Sequence, residues 1–319
     1  MHEGLRMTRH RALPSPFDRQ PFRVGSALDA GVGEGRLRGR DLARPFHGVR
    51  VPASITQVDA ARAYTARMTE DQHFSHWTAA VLHGLPLPTR TQLVHVTSLA
   101  PARASRAKGV VGHSSIASQT TTVRGLRVST PVGTWVDMGT ELSIRNLVIM
   151  GDALVRRKRP IATMAALEAA VLAHRGRPGA ARLAAALLRV RPRTDSVRET
   201  TLRLDIVDFG LPEPEVNVEI HDSTGRLIAI ADLCYREFRV IPEYDGEQHR
   251  TDRDQFFRDV DRLDDLAEER YRVIRFNRSH ISVHRLNKLR RALLSAGWRP
   301  PPVANRSRRA LGSGTGSGL

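Results

Sequence analysis

The strongest constraint in this chain is an amphipathic segment in its last third, flanked on both sides by short strand-like runs. From Asp252 to Glu269, the residues Phe256, Val260, Leu263 and Ala267 recur at the 3.6-residue period, so this segment is expected to be a helix with one stripe to bury. Its surroundings offer the surface. Ser196 to Phe209 reads as a helix. Glu215–His221, Arg226–Tyr235 and Arg239–Asp245 read as strands, Tyr271–Asn277 as a fourth, and Leu286–Leu293 as part of a closing helix. Asp222-Ser-Thr-Gly225 is a hairpin turn by composition. The order α, β, β, β, α, β, α over residues 195–295 predicts an α/β domain with a central mixed sheet.

The rest of the chain divides by composition. Residues 1–20 are polar, basic and Pro-containing, and are expected to be a flexible N-terminus. Residues 299–319 end in Gly/Ser repeats and are expected to be a disordered tail. Residues 21–52 read as helix, turn, helix and hairpin. Phe22, Val24, Ala27 and Leu28 line a first helix that Gly31 ends. Arg36, Arg38, Arg40 and Arg44 fall on a second. Pro45–Pro52 then reads as a two-stranded wing that turns near Gly48 and carries Arg50. Such a unit lays one helix in the DNA major groove while flanking arginines touch phosphates. A small helical cap with a solvated arginine face is the competing reading.

Residues 53–160 alternate helices (Thr56–Met68, Ser75–Gly84, Pro131–Val155) with short β-like runs at Leu93–Thr97, Val110–His113 and Leu126–Ser129. His76 and His83 are seven apart on one helix face. A metal pair there is weighed against core or capping histidines, and the latter are favoured because no third ligand is evident at suitable spacing. Residues 161–194 read as two alanine-rich helices forming a connector. The whole is an α+β multidomain chain.

Charge narrows the partner. The formal net charge is +17, which points to nucleic acid because cations neutralise phosphates and release counterions. Only Lys108, Lys158 and Lys288 are lysines, and the Ala- and Arg-rich composition fits a GC-rich coding bias that inflates basicity without any partner. Cys234 is the single cysteine, so one chain builds neither a disulfide framework nor a Cys-type zinc site. No apolar run of about 18 residues is present to span a membrane, and the N-terminus has no secretory apolar core. A cytoplasmic protein is expected.

Acids in the last third carry the chemistry. Asp232 sits late in one strand and Glu243 late in the next. Asp245, two beyond Glu243, shares its strand face. Adjacent strands lie about 4.8 Å apart, so such carboxylates can converge on one hard cation, Mg²⁺ or Mn²⁺. That cation would activate water and stabilise charge on a phosphodiester. Glu199 stands on the preceding helix at the head of the stripe Leu202, Ile206 and Phe209, yet Ser196-Val-Arg-Glu199 also fits a capping box. Asp232 has its own plain alternative, a strand-end acid. Asp259 is balanced between the site and a pairing with Arg262.

Two resemblances follow from these residues. The Gly-Arg-Leu-Arg segment, the His-Gly-Val wing, Ser75–Pro86, Val94–Thr97 and Thr130-Pro131 leading to Trp135-Val136-Asp137 resemble the type IV (abortive-infection, AbiEi-like) antitoxin family of transcriptional regulators. This implies a winged helix over residues 21–52, an antitoxin-like α/β domain over 53–160, DNA binding, and a cognate toxin or defence-system partner. Glu199, Ala231-Asp232-Leu233, Glu243-Tyr-Asp-Gly-Glu-Gln-His249, Asp259 with Arg262, and Arg272–Arg275 resemble the PD-(D/E)xK endonuclease superfamily, nearest its very-short-patch-repair-like branch. This implies a restriction-endonuclease-like domain over residues 195–298. Asp232 would ligate the metal directly, Glu243 or Asp245 would be the second ligand, Glu199 would act through water, and His249 would orient water or touch the scissile phosphate. Two departures stand out. Asp245 occupies the position of the superfamily's lysine, so Arg250 or Arg275 would supply the positive charge, or His249 the proton work. Pro242 removes a ladder donor inside the strand. The expected functions are a Mg²⁺-dependent endodeoxyribonuclease or an antitoxin-like regulator with an inactive nuclease fold. A structural interaction protein is the plainest alternative.

Overall fold

A computed structural model describes residues 12–55, 59–245, 253–277 and 283–301. It is a mixed α+β protein in two compact units divided after Thr200.

The first unit opens with β1 (Phe22–Arg23), α1 (Val24–Asp29), α2 (Glu34–Leu37), β2 (Leu42–Ala43) and β3 (Val49–Pro52), which form a small sheet of order β1-β3-β2. Three details depart from the sequence reading. Helix α2 is a single turn, so of the four arginines assigned to it only Arg36 lies on it. Gly39 ends it at a packed corner, where a Cβ would fall 2.5 Å from Asp41 Oδ1 and 2.8 Å from Arg36 Nη1. The hairpin pairs β3 with Leu42–Ala43, not with residues after Pro45. The Pro45-containing segment is the turn, with Gly48 at φ +70°. Lastly, the segment expected to be loose is partly core. Leu13 is buried with Phe22, Ala27, Val32, Leu37 and Leu42, and Phe17 meets Phe22 edge-on.

A five-stranded mixed sheet follows, of order β6-β5-β4-β8-β7. Its strands are β4 (Gln72–Phe74), β5 (Val94–Leu99), β6 (Val110–Ser115), β7 (Thr120–Val123) and β8 (Leu126–Ser129). Register sorts its two faces. Phe74 pairs with Val96 and Val128, and these pack with Phe46, Val49, Val51 and Tyr64 in one apolar core. The alternate residues His73, Thr97 and His113 lie in one row across β4, β5 and β6, with His95 beside them.

Helix α3 (Ala60–Tyr64) carries Tyr64 into that apolar core, and helix α4 (His76–Leu82) ends before Gly84 at φ +68°. Helices α5 (Pro131–Asp137) and α6 (Ile144–Leu154) replace the one long helix read from residues 131–155. The expected connector is instead part of this unit. Helices α7 (Met164–Ala173) and α8 (Ala180–Leu187) bury Leu167, Leu183 and Ala186 completely. Gly139 and Gly151 have no side chain, so Leu183 and Val190 close onto α5 and α6, with a Cβ at either glycine falling under 3.0 Å from them.

Helix α9 (Val197–Asp208) crosses the division between the units. The second unit continues with β9 (Glu215–His221), β10 (Leu227–Cys234), β11 (Val240–Asp245), α10 (Arg253–Glu268), β12 (Arg272–Asn277) and α11 (Val283–Ser295), in the expected order. β9 and β10 are antiparallel, and β11 and β12 are parallel across the α10 crossover. A single bridge, Tyr235 with Val240, joins β10 to β11. Pro242 denies that pair one ladder donor. Leu202 and Ile206 of α9, with Leu286, Leu289 and Leu293 of α11, cover Leu233, Tyr235, Val240, Ile274 and Phe276. Leu266 of α10 covers Cys234, Ile241 and Val273 on the other side. The buried stripe of α10 is thus centred on Leu266. Val260 is 38 % exposed and Ala267 is exposed, because Arg262 and Leu266, four apart, form the inward face.

Candidate functional site

The acid site is built on β10 and β11. Asp232 stands three residues before the Tyr235–Val240 bridge and Glu243 three after it, so that register carried onward places them opposite each other. Just beyond the bridge, Cys234 and Ile241 share the α10-side core. At Asp232 the strand pair changes phase. Val216 and Leu233 pack toward α9 and α11, whereas Val218 and Ala231 pack toward α10. Asn217, between Val216 and Val218 where this change of side falls, is buried with φ +49°. A left-handed asparagine inside a strand is backbone strain of about 1 kcal/mol or more, and such distortions re-aim side chains at functional sites.

Glu243 is held from two elements. Arg262 Nη2 of α10 donates to Glu243 Oε1 at 2.6 Å. Arg275, its register partner on β12, brings Nε to 4.0 Å from Oε2. That Oε2 is buried and accepts no hydrogen bond. Carboxylate oxygens are the donors a hard divalent cation takes, so this orphaned atom fits such an ion, with Asp232 and Glu243 as the residues to hold it. The Arg262 pair meanwhile neutralises the carboxylate's other oxygen.

Other expected members fare differently. Arg262 turns to Glu243, although the sequence also offered Asp259. Glu199 lies in the first unit and caps its own helix: its Oε2 accepts from the Asp195 N–H at 2.8 Å, and its N–H donates to Ser196 Oγ at 3.2 Å. The strand position of Asp245 is described but its side chain is not, and His249 and Arg250 lie outside the described residues. Among the described residues, no three His, Cys, Asp or Glu side chains are placed to share a metal ion.

The arginine set splits. Arg36 makes a two-pronged pair with Asp41, at 3.0 and 2.7 Å. Arg50 donates to the carbonyls of Leu37 and Val49, and burial and then Arg44 lower its pKa. These two stitch the small domain together. Arg38 pairs with Glu34 at the surface, and Arg44 donates to the Arg38 carbonyl. Arg40 is exposed with no partner among the described residues.

A second polar cluster was not anticipated. On the sheet's polar face the His76 and His113 rings stack with centroids 3.5 Å apart, and His95 Nδ1 lies 3.1 Å from His113 Nε2. Thr97 Oγ1 donates to Ser75 Oγ, which also meets His76 Nδ1. His73 is wholly buried, with neither ring nitrogen hydrogen-bonded. His83, read together with His76, instead bonds the Ser129 carbonyl at 2.7 Å. Burial lowers His73, His76, His95 and His113, His76 to about 2 with help from its neighbouring rings, and His73 and His95 to about 4. Burial raises Asp137, hydrogen-bonded by Ser129, to about 6. The signal was the alternation His95-Val-Thr97, which puts both polar residues on one strand face.

A mixed α+β chain with a parallel β-α-β closing unit is therefore the class of protein that the fold defines. The chain is similar to two relatives in Mycobacterium tuberculosis: Uncharacterized protein Rv2248 of strain ATCC 25618 / H37Rv and Uncharacterized protein MT2308 of strain CDC 1551 / Oshkosh. Each is 27% identical over 198 residues, which is 62% of this chain and 71% of the relative. No family model and no solved structure matches the chain. Among the described residues, no helix is long and apolar enough to cross a membrane.

Proposed function

We propose that this chain is a cytoplasmic DNA-binding protein whose second unit is a restriction-endonuclease-like phosphodiester hydrolase dependent on Mg²⁺ or Mn²⁺. The observation that carries the reading is Glu243 Oε2, buried and lacking a donor, on a strand bridged to β10 midway between Asp232 and Glu243 in register. The α, β, β, β, α, β, α order supports it, as does a first unit in which two short helices precede an antiparallel hairpin in winged-helix manner. When bound, the cation supplies Lewis acidity at the phosphate and an activated water. Asp232 and Glu243 are the residues to hold it. Arg275, beside Glu243, supplies the fixed positive charge that the absent lysine would bring. The test is incubation of plasmid DNA with the purified protein and Mg²⁺ or Mn²⁺. Wild type is expected to nick or linearise it, and Asp232→Ala and Glu243→Gln to fail while still binding DNA. Equal cutting by all three refutes the assignment.

One observation favours a second reading. The 2.6 Å Arg262–Glu243 pair compensates the carboxylate without any cation, and Asp245 adds an acid where a lysine is needed. On this reading the nuclease fold is inactive and the chain is an antitoxin-like transcriptional regulator with a cognate toxin or defence-system partner. Its test is an electrophoretic shift on the DNA upstream of its own gene, with no cleavage. Absence of a shift at 50 mM salt refutes it, since phosphate contacts are strongest there.

A further inference from the structure

A cleft of about 1020 Å³ opens in the first unit between the small β1-β3-β2 domain and the edge of the five-stranded sheet. Its lining carries Arg23, Arg67, Arg106 and Lys108 against a single acid, Asp29. The whole chain carries 50 Lys and Arg against 33 Asp and Glu, about three to two. A ratio of four to one is therefore a local concentration and not the compositional bias repeated. Three of the four cations are uncommitted: Arg23, Arg106 and Lys108 are exposed and have no ion pair among the described residues. The fourth is aimed. Arg67 lies 5.8 Å from the centre of the Tyr64 ring and donates to the His47 carbonyl at 3.3 Å.

The wall that presents Arg106 and Lys108 is fixed. Ser105 Oγ meets Tyr64 Oη at 3.1 Å, and the Ser105 backbone sits so close over Gly112 that a Cβ there would fall 2.6 Å from the Ser105 nitrogen. Cations held by rigid backbone around a concave site focus potential more than the same charges on a mobile surface. They come from three separate segments, so they match a row of phosphates better than a single one. Gly25 lines the same cleft, and a Cβ added there meets nothing within 4 Å.

We propose that this cleft, and not the Arg36–Arg50 face, is where the first unit grips the phosphate backbone of duplex DNA. The inference rests on the DNA-binding reading above. The test is fluorescence anisotropy with a labelled duplex between 50 and 200 mM salt, in EDTA to silence cleavage. Arg106→Glu/Lys108→Glu is expected to weaken binding at least tenfold and to lower the slope of log K against log salt by about two. Gly25→Glu removes no contact and improves helix propensity, so it should weaken binding without lowering the melting temperature. Arg38→Glu/Arg40→Glu/Arg44→Glu should bind nearly as wild type. If the cleft variants bind as wild type while the triple variant fails, the cleft is wrong and the DNA reading stands. If wild type itself does not bind at 50 mM salt, the DNA reading fails and takes this inference with it.

Discussion

Lowering the pH from 8 to 5 should selectively destabilise the first unit, and the size of the effect follows from its histidine layer. His73, His76 and His95 are held neutral by burial, with pKa values of about 4, 2 and 4. In the unfolded chain each titrates near 6.5. A base whose folded pKa is depressed contributes stability that is present above the unfolded pKa and is lost as pH falls below it. Between pH 8 and pH 5 each of the three loses about 2 kcal/mol, at about 1.4 kcal/mol per pH unit below 6.5. His113, lowered by the same burial, pushes in the same direction. Asp137 opposes them. Its folded pKa of about 6 lies above its unfolded value, so the fold gains stability as that carboxyl protonates, by about 1 kcal/mol at pH 5. The net loss is about 5 kcal/mol, a large share of a typical domain's stability and worth about 10–20 °C in melting temperature. Scanning calorimetry at pH 8, 6.5 and 5 measures it, and His95→Asn should recover about two-fifths of the drop. A melting temperature that moves by less than about 3 °C, or His73, His76 and His95 resonances titrating near 6.5 in the native protein, would refute the buried-neutral layer.

Three further outcomes follow. Gly112→Ala places a methyl group against the Ser105 backbone and should cost about 2–4 kcal/mol in urea unfolding; a loss under about 1 kcal/mol would mean that the 105–108 wall yields. Arg262→Met removes the partner 2.6 Å from Glu243 and should tighten Mn²⁺ binding several-fold by calorimetry, and unchanged binding would place the cation elsewhere. Cys234 is fully buried and its thiol is pushed up to about 12 by desolvation, so a thiol reagent at pH 8 should label no site in the native protein and one after denaturation.

The second unit was the more legible because its elements are punctuated locally. Gly225 at φ +88° closes the turn that Asp222 caps, and each strand and helix boundary there falls within one to three residues of the periodicity reading. Errors arose where tertiary packing overrides pattern. The three-residue β4 is too short for any periodic signal, and it becomes a strand because Phe74 is clamped between Val96 and Val128. The α7–α8 pair has an alanine-rich sequence that suits a solvated connector. It is core because Gly139 and Gly151 let it approach, and a glycine's role in distant packing is invisible along the chain.

Site legibility divides along the same physical line. Strand positions are local, so the places of Asp232 late in β10 and Glu243 in β11 could be read from the sequence. The partners of Glu243 could not, because Arg262 and Arg275 reach it only through the crossover that sets β12 beside β11. The arginines show the converse. Arg36 and Arg23 are equivalent as charges in a sequence. Folding consumes the first in a pair with Asp41 and leaves the second facing a cleft. Net charge counts both, but a cation already satisfied inside the protein must give up its partner before it can bind a phosphate, and that exchange cancels much of the gain. The useful measure of a basic protein's affinity for DNA is therefore the number of cations the fold leaves unpaired on one concave surface, which is why the salt slope of the cleft variants, and not the net charge of +17, decides between the two faces.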